Sequence, residues 1–326
     1  MTRTMHKLLM CAALLLIALQ QPGHTQQFKP SGPINVVVGF APGGGADLSA
    51  RLVTDKMSEY LKTPVNVVNK PGAGSGLAMQ LVKNSPADGQ TVALVSSTAV
   101  AINHVFNADP GYDTLKDFDS VGMIFATPFA MITNPTLPGK TVPDAVKSIR
   151  NTPGKFTAGG TVNGKEHIMT MLFLKHAQAE MPYAGYKGGA LAQNDLLAGH
   201  IHLRFDILGS VQQHIQTGQV NLLAVSWPTR LKDYPNVPTW TELGYPEELN
   251  NGHWYGLMVR KGTPQHIIKD LNDALRHALN DPGVKNKMSE MAGHVVNYTP
   301  AQMQDMISKE YHSMQKIGKE FNLLAK

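Results

Sequence analysis

The sequence predicts an α/β protein with two lobes, each built around a mostly parallel sheet flanked by helices, and a cleft between them. Short apolar runs such as PINVVVGF at residues 33–40 and TVALV at 91–95 are typical of strands buried on both faces. Loops and amphipathic segments with helical spacing separate these runs. The same alternation recurs in the middle of the chain, which indicates a second α/β unit.

The elements follow from apolar spacing and from start and stop signals. Thr-Pro pairs at 263–264 and 299–300 are typical of an N-cap followed by the first helical residue. The last two helices begin at these pairs and are available to return to the first lobe. The predicted strands are residues 33–40, 64–68, 91–95, 129–133, 156–158, 201–205, 222–225 and 254–259, and the clearest predicted helices begin near residues 45, 142, 168, 264 and 300.

The N terminus has the layout of a secretory signal peptide. Arg3 and Lys7 precede LLMCAALLLIAL at residues 8–19, an apolar run too short to span a bilayer. We predict that residues 1–26 are removed. Cys11 is the only cysteine of the 326 residues, so the exported chain would have no disulfide and no thiol chemistry. The net charge is +5, but Lys and Arg form no continuous run in the sequence. This distribution argues against a nucleic-acid partner.

The stretch GFAPGGGADLSARLV at residues 39–53 places three glycines before a predicted helix. No Lys follows Gly45, as a phosphate-binding P-loop requires, and Leu48 occupies the third glycine position of a dinucleotide fingerprint. G-x-S-x-G and H-E-x-x-H are also missing, so we predict no catalytic residue, no metal and no cofactor. What remains is free backbone N–H groups at a helix start, which suit a carboxylate. The alternative is that the glycines only form a tight turn.

A second unusual stretch is HIHLRFD at residues 200–206. Period two places His200, His202, Arg204 and Asp206 on one face of a strand. Our hypothesis is that Arg204 reaches the cleft and pairs with a second ligand carboxylate. The alternative is an ion pair with Asp206 or a solvated face. The histidines have no evident third partner for a metal.

Eight motifs, in order, resemble the Bug-type periplasmic solute-binding proteins of tripartite tricarboxylate transporters. They are VVVGFAPGGGADLSARLV at 36–53, VNKPGAGSGLA at 68–78, SPADGQTVALVSS at 85–97, GYDTLKDFDSVGMI at 111–124, YKGGALAQNDLLAGHI at 186–201, FDILGSVQQHIQTGQVNLLAV at 205–225, PNVPTWTELGY at 235–245 and WYGLMVRKGTP at 254–264. The resemblance implies a type II-like periplasmic-binding-protein fold, with residues 27–127 and 255–326 in lobe 1 and residues 128–254 in lobe 2. It also implies a periplasmic monomer that carries a small organic acid to an integral-membrane permease.

The resemblance further implies ligand contacts from both lobes. In lobe 1 these are Phe40, Ala41, Gly43, Gly44, Gly45, Ala46, Asp47, Ser96, Ser97 and Thr98, with Asp47 expected to shape the loop as a helix-start carboxylate. In lobe 2 they are Thr161, His167, Tyr186, Lys187, Gly188 and Asp206, beside the hypothetical contact of Arg204. Aromatic candidates for the cleft lining are Phe40, Phe129, Trp254 and Tyr255, although such residues more often belong to cores.

Lobe 2 departs from the family pattern at two places. In GGTVNGKEH at 159–167, His167 matches the histidine, but Gly164 or Lys165 occupies the serine position. In MPYAGYKG at 181–188, both Tyr183 and Tyr186 are candidates for the tyrosine. We therefore predict a carboxylate-binding protein that is not an enzyme. The alternatives are an exported enzyme that uses His167 or Asp206 as a base, and a sensor that feeds a signalling partner.

Overall fold

A computed structural model describes residues 27–325, so the predicted signal peptide lies outside the described residues. Ten strands form two five-stranded sheets. The strands are β1 (Ile34–Val38), β2 (Val65–Asn69), β3 (Thr91–Val95), β4 (Phe118–Thr127), β5 (Phe129–Thr133), β6 (Ala158–Thr161), β7 (Tyr183–Tyr186), β8 (Leu203–Ile207), β9 (Asn221–Ser226) and β10 (His253–Arg260).

Both sheets are mostly parallel, as predicted. Sheet I has the order β2-β1-β3-β10-β4, and only β10 runs against its neighbours. Sheet II has the order β7-β6-β8-β5-β9, and only β5 runs against its neighbours. These two antiparallel strands, β5 and β10, are the first strands that the chain forms after it crosses from one sheet to the other. β5 follows β4 of sheet I after one residue, and β10 follows β9 of sheet II after a longer segment. The chain therefore has the two-lobed fold that its sequence predicts.

Helices cover both faces of each sheet. They are α1 (Gly45–Leu61), α2 (Gly76–Asn84), α3 (Asn103–Phe106), α4 (Thr114–Asp117), α5 (Val142–Asn151), α6 (Lys165–His176), α7 (Gly189–Ala198), α8 (Leu208–Gln216), α9 (Gln265–Asn280), α10 (Pro282–Glu290) and α11 (Pro300–Glu320). A π-helical turn covers Thr98–Ile102, and 3₁₀ turns cover Ala73–Ser75 and Glu247–Asn250. Across residues 27–325, every helix is too short or too polar to cross a membrane.

The strands distribute their side chains between two cores by their period of two. Val36 and Val38 of β1 pack in the cluster beneath α1 and α9, whereas Val37 faces the opposite cluster. That opposite cluster continues from Met303 of α11 to Phe205 of β8. Sheets I and II therefore share apolar packing, while a third cluster lies between sheet II, α7 and α8.

Several elements differ in detail from the prediction. The strand predicted at 156–158 begins two residues later and includes two glycines, because a Cβ on Gly159 would lie 2.9 Å from Cδ1 of Ile201. The strand predicted at 201–205 likewise begins at Leu203. Thr299 forms the predicted cap of α11, but the predicted cap Thr263 instead donates to the carbonyl of Arg260. Apolar spacing did not predict β4, β7 or α7.

Candidate functional site

The loops that leave the carboxyl ends of the parallel strands in the two sheets meet. Lys165, which follows β6 and its loop, donates from Nζ to Ser97 Oγ after β3 over 3.4 Å. The ring of His167 stacks over Phe106, with 6.1 Å between centroids. Ligands of α/β proteins bind at the carboxyl ends of the strands, because helix N-termini converge there. We call the space between these loops the cleft.

The glycine-rich loop between β1 and α1 has two kinds of glycine. Gly39 and Gly45 are needed for internal packing, since an added Cβ would lie 1.8 Å from Ser75 Oγ and 2.9 Å from the Tyr255 hydroxyl, respectively. Gly43, at φ +81°, and Gly44 are exposed, and an added Cβ there would meet no close contact. The N–H groups of Gly44 and Gly45 have no acceptor among residues 27–325. The loop is thus a tight turn that also presents free donors at a helix start.

Asp47 holds this loop from inside. Its Oδ2 accepts the Gly43 N–H over 3.0 Å and pairs with Arg51 Nε over 2.9 Å, and its Oδ1 accepts from Asn69 Nδ2 over 3.0 Å. The hydrogen bond from Arg51 is the largest cause that lowers the pKa of Asp47 to about 2. These contacts fit the expectation that Asp47 shapes the loop. Of the neighbouring predicted contacts, Phe40 is half-buried, Ala41 is exposed and Ala46 is buried.

The polar residues after β3 are directed away from solvent. Ser96 and Ser97 are buried, and Thr98, which begins the π-helical turn, is half-buried. The Ser97 hydroxyl donates to Oε1 of Glu310 over 2.6 Å, and Trp254 Nε1 donates to Oε2 over 2.8 Å. The proton of Ser97 is therefore engaged by Glu310, a residue that sequence motifs gave no reason to consider.

The loop between β6 and α6 provides an aromatic and an acidic group. His167 stacks on Tyr183 with 4.1 Å between centroids, and burial lowers the pKa of the imidazole. Glu166 is half-buried beside it, and Thr161 Oγ1 lies 3.4 Å from its Oε1. Burial, followed by the nearby Asp206 carboxylate, raises the pKa of Glu166 to about 7. Glu166 stands in the stretch GGTVNGKEH at 159–167, but no motif singled it out.

Arg204 is fully buried on β8 and pairs with Asp206, with 2.6 Å between Nη2 and Oδ2. Its Nη1 donates to the carbonyl of Gly189 over 2.9 Å and to Gln193 Oε1 over 3.3 Å. Burial raises the pKa of Asp206, and Arg204 counteracts this effect. The ion pair weighed as the alternative for Arg204 is therefore present.

The predicted polar face of residues 200–206 is confirmed only for Arg204 and Asp206, because the strand begins at Leu203. His200 lies before the strand, is exposed, and contacts Asp195 at 3.3 Å between Nδ1 and Oδ1. His202 accepts the Thr157 N–H at its Nδ1 over 3.1 Å. Of the four polar side chains, only Arg204 and Asp206 thus share an environment, and each histidine has separate contacts.

Comparison with known proteins identifies the chain. Residues 49–323 match the profile of the tripartite tricarboxylate transporter family receptor. The chain belongs to this family. The receptor is 31% identical over 293 residues to BugT of Bordetella pertussis, and the match covers 89% of this chain and 90% of BugT.

Solved structures agree with this assignment. The receptor resembles a periplasmic transporter with a TM-score of 0.81 and 34% identity, over 90% of this chain and 99% of the other. It also resembles the R. palustris protein Rpa4515, solved with adipate, with a TM-score of 0.79 and 27% identity over 89% and 97% of the two chains. The receptor is therefore a solute-binding protein of this transporter family.

The two candidate tyrosines of the receptor differ in their hydrogen bonds. Tyr186 donates to Oδ2 of Asp195 over 2.6 Å, and burial is the first cause that raises the pKa of Tyr186 to about 12. Tyr183 instead stacks on His167, and its hydroxyl reaches the Thr161 carbonyl only at 3.5 Å. Of the other predicted contacts, Lys187 is exposed and Gly188 is the N-cap of α7.

His253, at the start of β10, is a further polar group that sequence reasoning missed. Both ring nitrogens are buried and have no hydrogen-bond partner among residues 27–325. The ring lies 4.6 Å from that of Tyr255 and 5.7 Å from that of Phe129, between centroids. Burial, together with Lys165, lowers the pKa of His253 to about 3, so its imidazole is neutral at pH 7. The only sequence signal was its position before the WYG motif.

Proposed function

We propose that the receptor binds a small organic carboxylate in the cleft and passes it to the integral-membrane permease of a tripartite tricarboxylate transporter. The observation that carries this proposal is the exposed turn at Gly43 and Gly44, where the N–H groups of Gly44 and Gly45 at the start of α1 have no acceptor among residues 27–325. Such a site favours one anionic group through hydrogen bonds and the helix dipole together. The relative solved with adipate supports a carboxylate as the ligand class.

The proposal includes export and hinge closure. We propose that residues 1–26 direct the chain to the periplasm, where it acts as a monomer. The lobes would comprise residues 27–127 with 255–326 and residues 128–254, and would close around the ligand by rotation about the crossings between the sheets. The short connection between β4 and β5 supports a hinge at that point.

The residues of sheet II beside the cleft determine which further groups of a ligand can be bound. Arg204 already pairs with Asp206, and Lys165 already contacts Glu310. Any second carboxylate would therefore depend on other donors, and exposed Lys187 is one candidate. We propose that Arg204 acts on ligands through Asp206, so that Arg204→Met weakens a diacid and a matched monoacid equally.

The first test of the function compares three six-carbon ligands by thermal shift and titration. Adipate and hexanoate carry carboxylates, whereas hexane-1,6-diol does not. We expect the two acids to raise the melting temperature and the diol to leave it unchanged. A ligand at a thousand times its Kd adds about 4 kcal/mol to the free energy of unfolding, which is a shift of a few degrees for this chain length. Failure of a broad set of carboxylates to shift the melt would contradict the proposal.

The second test removes one backbone donor from the glycine loop. Gly44 has φ −80° and ψ 169°, a conformation that proline adopts, and its Cβ position is open. Gly44→Pro therefore deletes the N–H group with little demand on the fold, while Gly44→Ala retains it and serves as the matched control. We expect Gly44→Pro to weaken carboxylate binding about tenfold, the effect of losing a charge-assisted hydrogen bond of about 1.5 kcal/mol.

Ligand recovered after prolonged incubation should be unchanged, since we expect no turnover.

A further inference from the structure

Lys165 connects the two sheets through a buried polar network. It begins α6 beside sheet II, yet its Nζ lies 3.6 Å from Oε1 of Glu310 on α11, which packs on sheet I. The same nitrogen donates to the Gly252 carbonyl over 2.6 Å and to Ser97 Oγ over 3.4 Å. Lys165 is 5% exposed and Glu310 is 8% exposed. A cation carried by one sheet is thus neutralised by an anion carried by the other.

Glu310 is fixed in place by groups of sheet I and its adjoining loops. Ser97 donates to one carboxylate oxygen and Trp254 to the other, over 2.6 Å and 2.8 Å. Among residues 27–325, Lys165 is the only ion-pair partner of Glu310. Removal of one member of a buried ion pair leaves an uncompensated charge, which is far more costly than removal of an exposed charge. The relative position of the sheets that buries Lys165 beside Glu310 is therefore disfavoured when either residue is neutralised, because the other charge would then be buried without its partner.

The same two helices carry a second Lys–Glu pair that is exposed. Lys175 at the end of α6 forms an ion pair with Glu320 at the end of α11, and each side chain is 44% exposed. Solvent screens such a pair, so its contribution is small. This pair provides a control with the same residue types on the same two helices and a different degree of burial.

We propose that Lys165 and Glu310 are positioning residues that hold sheet II against sheet I beside the cleft and thereby raise ligand affinity. Lys165 occupies the part of the loop where the family pattern has serine, and its side chain is directed at Glu310. With the pair intact, the glycine loop and the loop after β6 already face each other, so the ligand supplies less of the free energy of closure. The statement about affinity rests on the proposed function, whereas the statement about lobe position does not.

The first experiment measures the distance between the lobes without ligand. Spin labels are attached to Leu48→Cys and Leu191→Cys in a Cys11→Ser background. Both leucines are exposed, and they lie in the first turns of α1 and α7. We expect Lys165→Met and Glu310→Gln each to shift the distance distribution to longer values. Lys175→Met and Glu320→Gln should leave it unchanged.

The second experiment titrates adipate into the same unlabelled variants. We expect Lys165→Met and Glu310→Gln each to weaken binding about tenfold, and the double variant to bind no more weakly than the worse single variant, because all three lack the same contact. Lys165→Arg retains the positive charge and should restore the distance distribution at least in part. Glu310→Gln retains a side chain that can contact Ser97 and Trp254, so it remains informative if Lys165→Met folds poorly.

The outcomes separate this proposal from the proposed function. Unchanged distances in folded Lys165→Met and Glu310→Gln would overturn the positioning role, even if both variants were less stable to urea. Equal shifts from the exposed and the buried pair would also overturn it. Longer distances in the two variants, together with a wild-type chain that binds no carboxylate, would support the positioning role and contradict the proposed function.

Discussion

The two walls of the cleft are built from different chemical groups. The wall of sheet I presents backbone N–H groups from an exposed glycine turn, and the carboxylate that follows this turn, Asp47, is turned inward with a lowered pKa. The wall of sheet II presents Glu166 and Asp206, side chains whose pKa values are raised by burial, beside a fully buried Arg204. The first wall is shaped by backbone conformation, and the second by side chains that depend on one another.

This difference indicates a division of roles. Backbone donors are nearly independent of side-chain identity, so the glycine turn can receive any small carboxylate. Side chains change with each substitution, and the wall of sheet II is where the stretches at 159–167 and 181–188 depart from the pattern of the family that the sequence resembles. We therefore expect substitutions of sheet II side chains that can contact the ligand directly, such as Lys187, to change which acid is bound. Substitutions around the glycine turn, and of Arg204, which acts through Asp206, should change the affinity for all acids.

The largest expected effect is the loss of Arg204. Arg204→Met leaves Asp206 as a buried carboxylate without its ion-pair partner. We expect a loss of about 3–5 kcal/mol in the free energy of unfolding, measured by urea denaturation at pH 7. The double variant Arg204→Met/Asp206→Leu removes both charges and should be less destabilised than the single variant. A single variant within about 1 kcal/mol of wild type, the range expected for an exposed pair, would show that the pair is not buried in solution.

The second prediction concerns the pH dependence of stability at Glu166. Its pKa is raised from 4.5 to about 7, so the folded protein retains a proton that the unfolded chain has lost between these values. Stability therefore falls as the pH rises through this range, by about 3 kcal/mol in total for this group. Glu166→Gln resembles the protonated form at every pH. The variant should be within about 1 kcal/mol of wild type near pH 5 and more stable by about 3 kcal/mol near pH 8.

The Glu166 experiment must compare wild type with Glu166→Gln, because His253 makes stability depend on pH in the opposite direction. The pKa of His253 is lowered from 6.5 to about 3, so its contribution to stability is lost as the pH falls through that range. This contribution is present in wild type and in Glu166→Gln, and it cancels in the difference between them. A difference that stays constant between pH 5 and pH 8 would rule out the raised pKa of Glu166.

The third prediction addresses the wall of sheet I. Asp47→Ala removes the acceptor for Gly43 and Asn69 and the partner of Arg51. We expect a loss of about 1–2 kcal/mol in the free energy of unfolding and weaker binding of every carboxylate tested. Because the pKa of Asp47 is lowered to about 2, the stabilisation should persist at neutral pH and disappear as the pH falls from about 4 towards 2. The control is Arg51→Met, whose side chain is half exposed; an equal loss there would assign the effect to the ion pair alone.

The two walls also differ in how far the sequence predicted them. The glycine turn and the start of α1 depend on residues that are close in the chain, so apolar spacing and glycine position were sufficient. The environment of Glu166 depends on β8, which brings Arg204 and Asp206 beside it from about 40 residues away. The spacing of residues along the sequence does not show which distant segments lie side by side. His253 was missed for the same reason, since its burial results from Phe129 on the other sheet.

The smallest expected effect decides between two tyrosines that the sequence left as alternatives. Tyr186 uses its hydroxyl in a 2.6 Å bond to Asp195, whereas the Tyr183 hydroxyl has only a 3.5 Å contact with a carbonyl. Tyr186→Phe should therefore cost about 1 kcal/mol of unfolding free energy, the usual value for one hydrogen bond. Tyr183→Phe should cost less stability and weaken carboxylate binding more, because its hydroxyl remains available to a ligand. Urea denaturation and adipate titration of both variants measure the two effects. If Tyr186→Phe weakened binding more than Tyr183→Phe did, the hydroxyl of Tyr186 would leave Asp195 for the ligand, and Tyr186 rather than Tyr183 would take the place of the family's tyrosine.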